Sequence, residues 1–247
     1  MTTGKCFSAI MVLLLMLPGT ARTETSAKEV IEQVMHAYGG AETVGKIRTV
    51  CAKGKIVAYA FNAAGTYSYC VAKDRKLRVD IDYGSFVERR VLNGQRAFVR
   101  QGDGSTQILT GGMNYLSVVY QYEQLSLPGA LLNHADRIRY DGHERHGDRQ
   151  VEVLSMDFDG SLPIKIYVDA ASGRIVKTSC AFRMGKTQMV LSSDFYDFKA
   201  VGKTIFPFRF VNYAGGEKIA ETSILEYEPN SSPAKDTFLI PETDSTP

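Results

Sequence analysis

The spacing of apolar residues along this chain changes several times, and each change marks a new element. Val30, Ile31, Val34, Met35 and Tyr38 recur at helical spacing on one face, behind a Ser26 and Glu29 pair with the spacing of a capping box. Gly39 and Gly40 stop that helix. From residue 47 the period shortens to two. Residues 47–61 predict a long strand in which Val57, Tyr59 and Phe61 alternate with smaller or polar neighbours. Residues 66–73 predict its partner across a turn at 62–65. Leu77, Val79, Ile81 and Tyr83 then alternate with Lys76, Arg78, Asp80 and Asp82, the cleanest period-two stretch in the chain. Residues 86–92 and 95–100 flank Asn93 and Gly94, a hairpin signal of type I′.

The middle is different. Met113, Leu116, Val119, Tyr120 and Glu123 predict a helix, and residues 127–133 a second short one. Strands resume at 137–140, 149–158, 163–168, 174–182, 187–198, 204–213 and 217–228, with residues 141–148 read as a polar hairpin loop. The pattern is helix, meander, helical insert, second meander. An antiparallel sheet of that many strands curls on itself, and the helical pieces would lie over it as a lid. Such a container either holds an apolar ligand or is a filled core; periodicity alone favours the filled core.

The first residues read as an address. Lys5 precedes the apolar run 9–17, which is too short to span a bilayer, and Gly19, Thr20 and Ala21 offer small residues for cleavage. Residues 1–21 are therefore expected to be a secretory signal peptide, leaving 22–247 as one domain. Cys6 precedes the apolar run, so it is not placed as a lipidation site. No segment of the mature chain reaches transmembrane length.

Charge and composition narrow the partners. Twenty-nine basic against 27 acidic residues give no electrostatic case for nucleic acid. The mature cysteines are Cys51, Cys70 and Cys180. If Phe61 faced Thr66, Cys70 would face Val57, six residues from Cys51, and a bond between the two is not expected. Cys180 could pair with either.

Three stretches carry a family resemblance. Residues 140–153 hold Tyr140, Gly142, Glu144, Gly147, Val151 and Val153 as a hairpin pattern. Residues 166–177 form strand, turn and strand. Residues 197–208 lead to a final strand and to Phe238, Leu239, Ile240 and Pro241. On these stretches the chain resembles the bacterial outer-membrane lipoprotein-sorting proteins, the LolA/LolB-like superfamily. The resemblance implies an incomplete β-barrel with a helical lid and a cavity for acyl chains in transit through the periplasm. It also implies an inner-membrane exporter and an outer-membrane acceptor as partners. A regulatory branch with the same fold would instead sense lipids or envelope damage, so an envelope sensor or interaction protein is the alternative reading. The family's carriers latch the lid with a cavity arginine; Arg89 and Arg90 lie in the right kind of strand, and Arg89 is taken into the site.

An acyl site needs apolar walls, because each buried CH₂ contributes about 0.8 kcal/mol. The candidate lining is Leu77, Val79, Ile81, Val91, Ile164, Ile166, Val168, Phe206, Phe208 and Phe210, with Arg89. No catalytic constellation competes with it. His143 and His146 have HxxH spacing, but in a loop. No GxSxG occurs, and Gly102, Asp103 and Gly104 read as a turn. No cofactor, metal or enzyme activity is expected. The basic run Lys73, Arg75, Lys76 and Arg78 is a strand edge or a contact for anionic headgroups.

Overall fold

The computed structural model describes residues 25–158, 162–184 and 187–241, so the expected leader at 1–21 lies outside the described residues. Helix α1 (Ala27–Ala37) begins on a complete capping box. The Ser26 hydroxyl accepts from the Glu29 amide at 3.3 Å, and the Glu29 carboxylate accepts from the Ser26 amide at 2.8 Å. Its apolar stripe Val30, Ile31, Val34 and Met35 is buried. A short helix α2 (Ala41–Gly45) follows.

The first meander contains β1 (Thr49–Ala58), β2 (Ala63–Ala72), β3 (Lys76–Asp82), β4 (Val87–Asn93), β5 (Arg96–Arg100) and β6 (Thr106–Leu109). Helices α3 (Gly112–Leu125) and α4 (Gly129–Asn133) form the insert. The second meander contains β7 (Ile138–His146), β8 (Arg149–Phe158), β9 (Leu162–Asp169), β10 (Ile175–Met184), β11 (Thr187–Val201), β12 (Thr204–Ala214) and β13 (Glu217–Pro229). All thirteen strands join one antiparallel sheet in the order 6-5-4-3-2-1-13-12-11-10-9-8-7. The first strand and the last therefore pair at its middle, and β6 and β7 are left as unpaired edges. The insert α3–α4 connects those two edges.

The sheet curls without closing. Leu77 on β3 and Ile166 on β9 belong to one buried cluster with Tyr115, Val118, Val119 and Tyr122 of α3. Seven strand steps separate β3 from β9. At about 4.8 Å per step a flat sheet would hold them far out of contact, so the apolar face must be concave and α3 must fill it. This is an incomplete barrel with a helical cover: the hydrophobic pattern predicts the curl and the cover, and the family resemblance implies the incomplete barrel.

Four local expectations are corrected. The β1–β2 register pairs Ala58 with Ala63 and therefore Cys51 with Cys70. The two cysteines form a disulfide, with their Cα atoms 4.1 Å apart, and Cys180 is buried and free. The sequence pattern predicts a turn at residues 62–65. Tyr59, Ala60 and Phe61 form a tight 3₁₀ turn instead, Asn62 takes a left-handed φ of 48°, and Ala63, Ala64 and Gly65 are already strand. Residues 141–146 are strand rather than loop. They pair with β8 past a bulge between Tyr140 and Gly142, and their polarity reflects an exposed edge. Finally, Val57, Tyr59 and Phe61 are largely exposed, while Val50, Ala52, Ile56 and Ala58 are buried.

Helix α1 is pinned to the second meander. The Gln33 side-chain amide donates to the Ala170 carbonyl at 2.7 Å, and the Ile175 amide donates to the Tyr38 hydroxyl at 3.3 Å. Gly173 lies beneath the helix with φ of 68°, and a Cβ there would sit 2.7 Å from the Gln33 carbonyl oxygen.

Candidate ligand-binding site

Parity along the strands decides which side chains reach the concave face. Register pairs Leu77 with Leu92, Val79 with Arg90 and Ile81 with Glu88. Residues directly opposite share a face, so β4 turns Glu88, Arg90 and Leu92 inward. Arg89 and Val91 point to the outer side. There the Arg89 and Arg78 guanidiniums both ion-pair with Asp80. Val91 is buried on that outer side, where the C-terminal segment crosses: Arg78 donates to the Thr237 carbonyl at 3.4 Å and Asn93 to the Phe238 carbonyl at 3.2 Å.

The other candidate lining residues gather in the central cluster. Leu77, Val79, Ile81, Ile164, Ile166, Val168, Phe206 and Phe210 are all buried there, and Phe208 packs against its edge. An aromatic stack holds one end. Phe206 lies flat on Tyr227 at 4.5 Å, Phe208 meets Tyr227 edge-on at 5.1 Å, and the Tyr227 hydroxyl donates to the Pro207 carbonyl at 2.5 Å. The space beside these residues is small. A pocket of about 40 Å³ touches Phe206, Phe210 and Tyr227, and one of about 80 Å³ lies between β1, β2 and α4. A water molecule occupies about 30 Å³ in the liquid, so the centre of the barrel is close to filled, chiefly by α3.

The larger space lies at the mouth. A cleft of about 540 Å³ opens between the first turns of α3 and the tips of the β1–β2 and β3–β4 hairpins. That volume is in the range of small-molecule sites, about 300–1,000 Å³. Its apolar walls are Phe61, Phe86, Val99 and Val118; its polar groups include Glu88, Arg90, Arg100, Asn114 and Ser117. The rings of Phe61 and Phe86 meet edge-on at 6.3 Å, and Tyr83 leans on Phe86 at 4.6 Å. Val118 and Val99 also touch the central cluster, so the cleft abuts the core. Arg90 donates to Glu88 at 2.9 Å inside it.

Polar ties hold α3 in the concavity. The Tyr120 hydroxyl is 3.0 Å from the Thr178 hydroxyl, the Ser193 hydroxyl donates to the Gln124 side-chain carbonyl at 3.2 Å, and the Arg75 guanidinium donates to the Tyr115 hydroxyl at 3.2 Å. Burial raises the pKa of the phenols of Tyr67, Tyr69, Tyr120 and Tyr227 above the ordinary tyrosine value, so they stay neutral hydrogen-bonding groups.

The histidines do not meet. His143 lies opposite Glu152 on the β7–β8 ladder, whereas His146 reaches Asp194 of β11 at 3.5 Å. Among the described residues no three metal-binding side chains form a cluster. None of the eleven candidate lining residues borders the mouth cleft. Phe61, Phe86 and Asn114 come from a hairpin tip, a turn and a helix start, where alternation carries no signal, whereas Glu88, Arg90, Val99 and Arg100 come from β4 and β5. The inward parity of Arg90 could have been read from its register with Val79.

No protein-family model matches this sequence, and no curated protein matches it. Solved structures do match in three dimensions. A domain named for outer membrane lipoprotein sorting, from Vibrio parahaemolyticus, superposes with a TM-score of 0.56 at 11% identity, over 86% of this chain and 97% of that one. A LolA superfamily protein from Nitrosomonas europaea gives 0.53 at 14% identity, over 88% and 99%. The fold is LolA-like. A DUF1329 family protein from Desulfovibrio piger shares this LolA-like architecture, with a TM-score of 0.57 at 9% identity over 86% and 97%.

Proposed function

We propose that this protein is a periplasmic carrier that takes acyl chains of lipids or lipoproteins into the concavity of its sheet, and that residues 22–247 act as one binding domain. The observation that carries the reading is the mouth cleft. It is the right size for the end of an amphipathic ligand, it has apolar walls and a polar lip, and its inner wall is Val118 of the helix that fills the barrel. An acyl chain entering past Phe61 and Phe86 would displace α3 side chains and exchange one apolar filling for another. The sheet would need no rearrangement, because α3 belongs to the helical insert between β6 and β7 and is not one of its strands.

Location and partners follow from the same reading. The leader at 1–21 directs export, and a Cys51–Cys70 disulfide suits an oxidising compartment. A carrier of this kind receives cargo from an inner-membrane exporter and delivers it to an outer-membrane acceptor, with no catalytic step. Native mass spectrometry with lipid extraction, on protein purified from its own periplasm, tests it. A bound acylated species that is lost in Val118→Trp supports the carrier. A protein that is empty as isolated, and still empty after incubation with lipidated peptide and phospholipid, would overturn it and leave the envelope-sensor reading.

A further inference from the structure

We propose that the outer, convex-side face of the second meander carries a separate site for a phosphate group, built on Arg149 and Arg174. A pocket of about 340 Å³ lies where the start of β8, the β9–β10 turn and the lower part of β11 meet. The Ala170 amide donates to the Gln150 carbonyl at 3.0 Å, which draws the turn that carries Arg174 against the residue next to Arg149. Arg174 lies over the Phe198 ring, 5.4 Å from its centroid, so its fork is oriented without a carboxylate.

The charges in the pocket are unequally committed. The Asp197 carboxylate accepts from Arg209 at 2.9 Å, and Asp169 accepts from the Ser172 hydroxyl. Asp197 is fixed further by its place at a break in the β11–β12 ladder, with a left-handed φ of 55°. Neither the Arg149 nor the Arg174 guanidinium has an ion pair or hydrogen bond among the described residues. The pocket itself sets two guanidiniums against two carboxylates, and Arg209 beside it is shared between Asp197 and Glu221, so what distinguishes the site is two free forks and not an excess of charge. A single carboxylate is satisfied by one arginine fork, whereas a tetrahedral oxyanion accepts two forks from different directions. Two uncommitted forks bordering one pocket therefore point to phosphate, either free or as part of a lipid headgroup.

The test is calorimetric titration of the mature protein with inorganic phosphate at low ionic strength, beside co-sedimentation with phosphatidylglycerol vesicles. The Arg149→Ala/Arg174→Ala variant should weaken phosphate binding about tenfold or more. The control Arg139→Ala/Arg183→Ala, which removes the same charge from other exposed positions, should change it by less than about twofold. Vesicle binding that falls with the site variant assigns the phosphate to a headgroup; phosphate binding without vesicle binding assigns it to a soluble ester or the free ion. Failure of the unaltered protein to bind phosphate, or equal weakening in the control, would overturn the proposal. Thermal melts of both variants check that each is folded.

Discussion

Arg90 and Glu88 sit two residues apart on β4 and meet at 2.9 Å on the concave side of the sheet, beneath the mouth cleft. The carboxylate is the more enclosed partner, with a side chain 14% exposed against 33% for the guanidinium. Arg90→Ala would leave Glu88 facing apolar walls without that cation. The expected cost is about 1–3 kcal/mol in urea denaturation, together with weaker uptake of an amphipathic probe. The neighbouring Arg89→Ala should cost less than about 1 kcal/mol, because that pair is on the outer side and partly solvated. Equal effects of the two would contradict the inward parity of β4.

The Cys51–Cys70 disulfide closes a loop of 19 residues that contains the whole β1–β2 turn. Cross-linking a loop of that size stabilises by about 3 kcal/mol in the chain-entropy description. The double variant Cys51→Ser/Cys70→Ser should therefore unfold at lower urea than the oxidised protein. Reductant should shift the parent protein in the same direction and leave the variant unchanged.

How far the sequence reached depends on where the signal lives. The capped helix α1, the two meanders and the helical insert were legible because each depends on periodicity over many residues. The β3 alternation of Leu77, Val79 and Ile81 was read with its inward parity. The β1–β2 register was not, because Ala63, Ala64 and Gly65 have turn-like composition but strand pairing, and that shift moved Cys70 by six positions. Arg89 and Arg90 both lie between Val87 and Val91, and that local pattern does not tell which of the two faces inward. Val91 is indeed buried, but under a C-terminal segment that a local pattern cannot anticipate. The mouth cleft escaped for a similar reason, since Phe61, Phe86 and Asn114 come together only when the sheet curls.

The contrast between filled centre and open mouth is measurable. Ile166 has no exposed surface and packs in the central cluster, so Ile166→Ala should cost about 2–5 kcal/mol. Val99 lines the cleft and is half-buried, so Val99→Ala should cost less than about 1.5 kcal/mol. Similar losses at both sites would mean that the mouth is as tightly packed as the centre.

Cys180 reports on the same centre through its chemistry. It is 2% exposed on β10, and burial pushes its thiol up to about 12. The nucleophile is the thiolate, so at pH 8 the folded protein should show no reactive thiol to a disulfide reagent and one after denaturation with the disulfide intact. The same shift has a sign for stability. Between the ordinary thiol value of about 9 and the raised value of about 12, the unfolded chain has lost its proton while the folded chain keeps it. The unfolded state then binds fewer protons, and stability falls as pH rises through that window. Below it the thiol contributes its full share. The buried tyrosines act in the same direction at still higher pH, so the protein should lose stability steeply in alkali. Cys180→Val should make the decline shallower from about pH 9 upward; an unchanged slope would mean that the thiol meets water in the folded state.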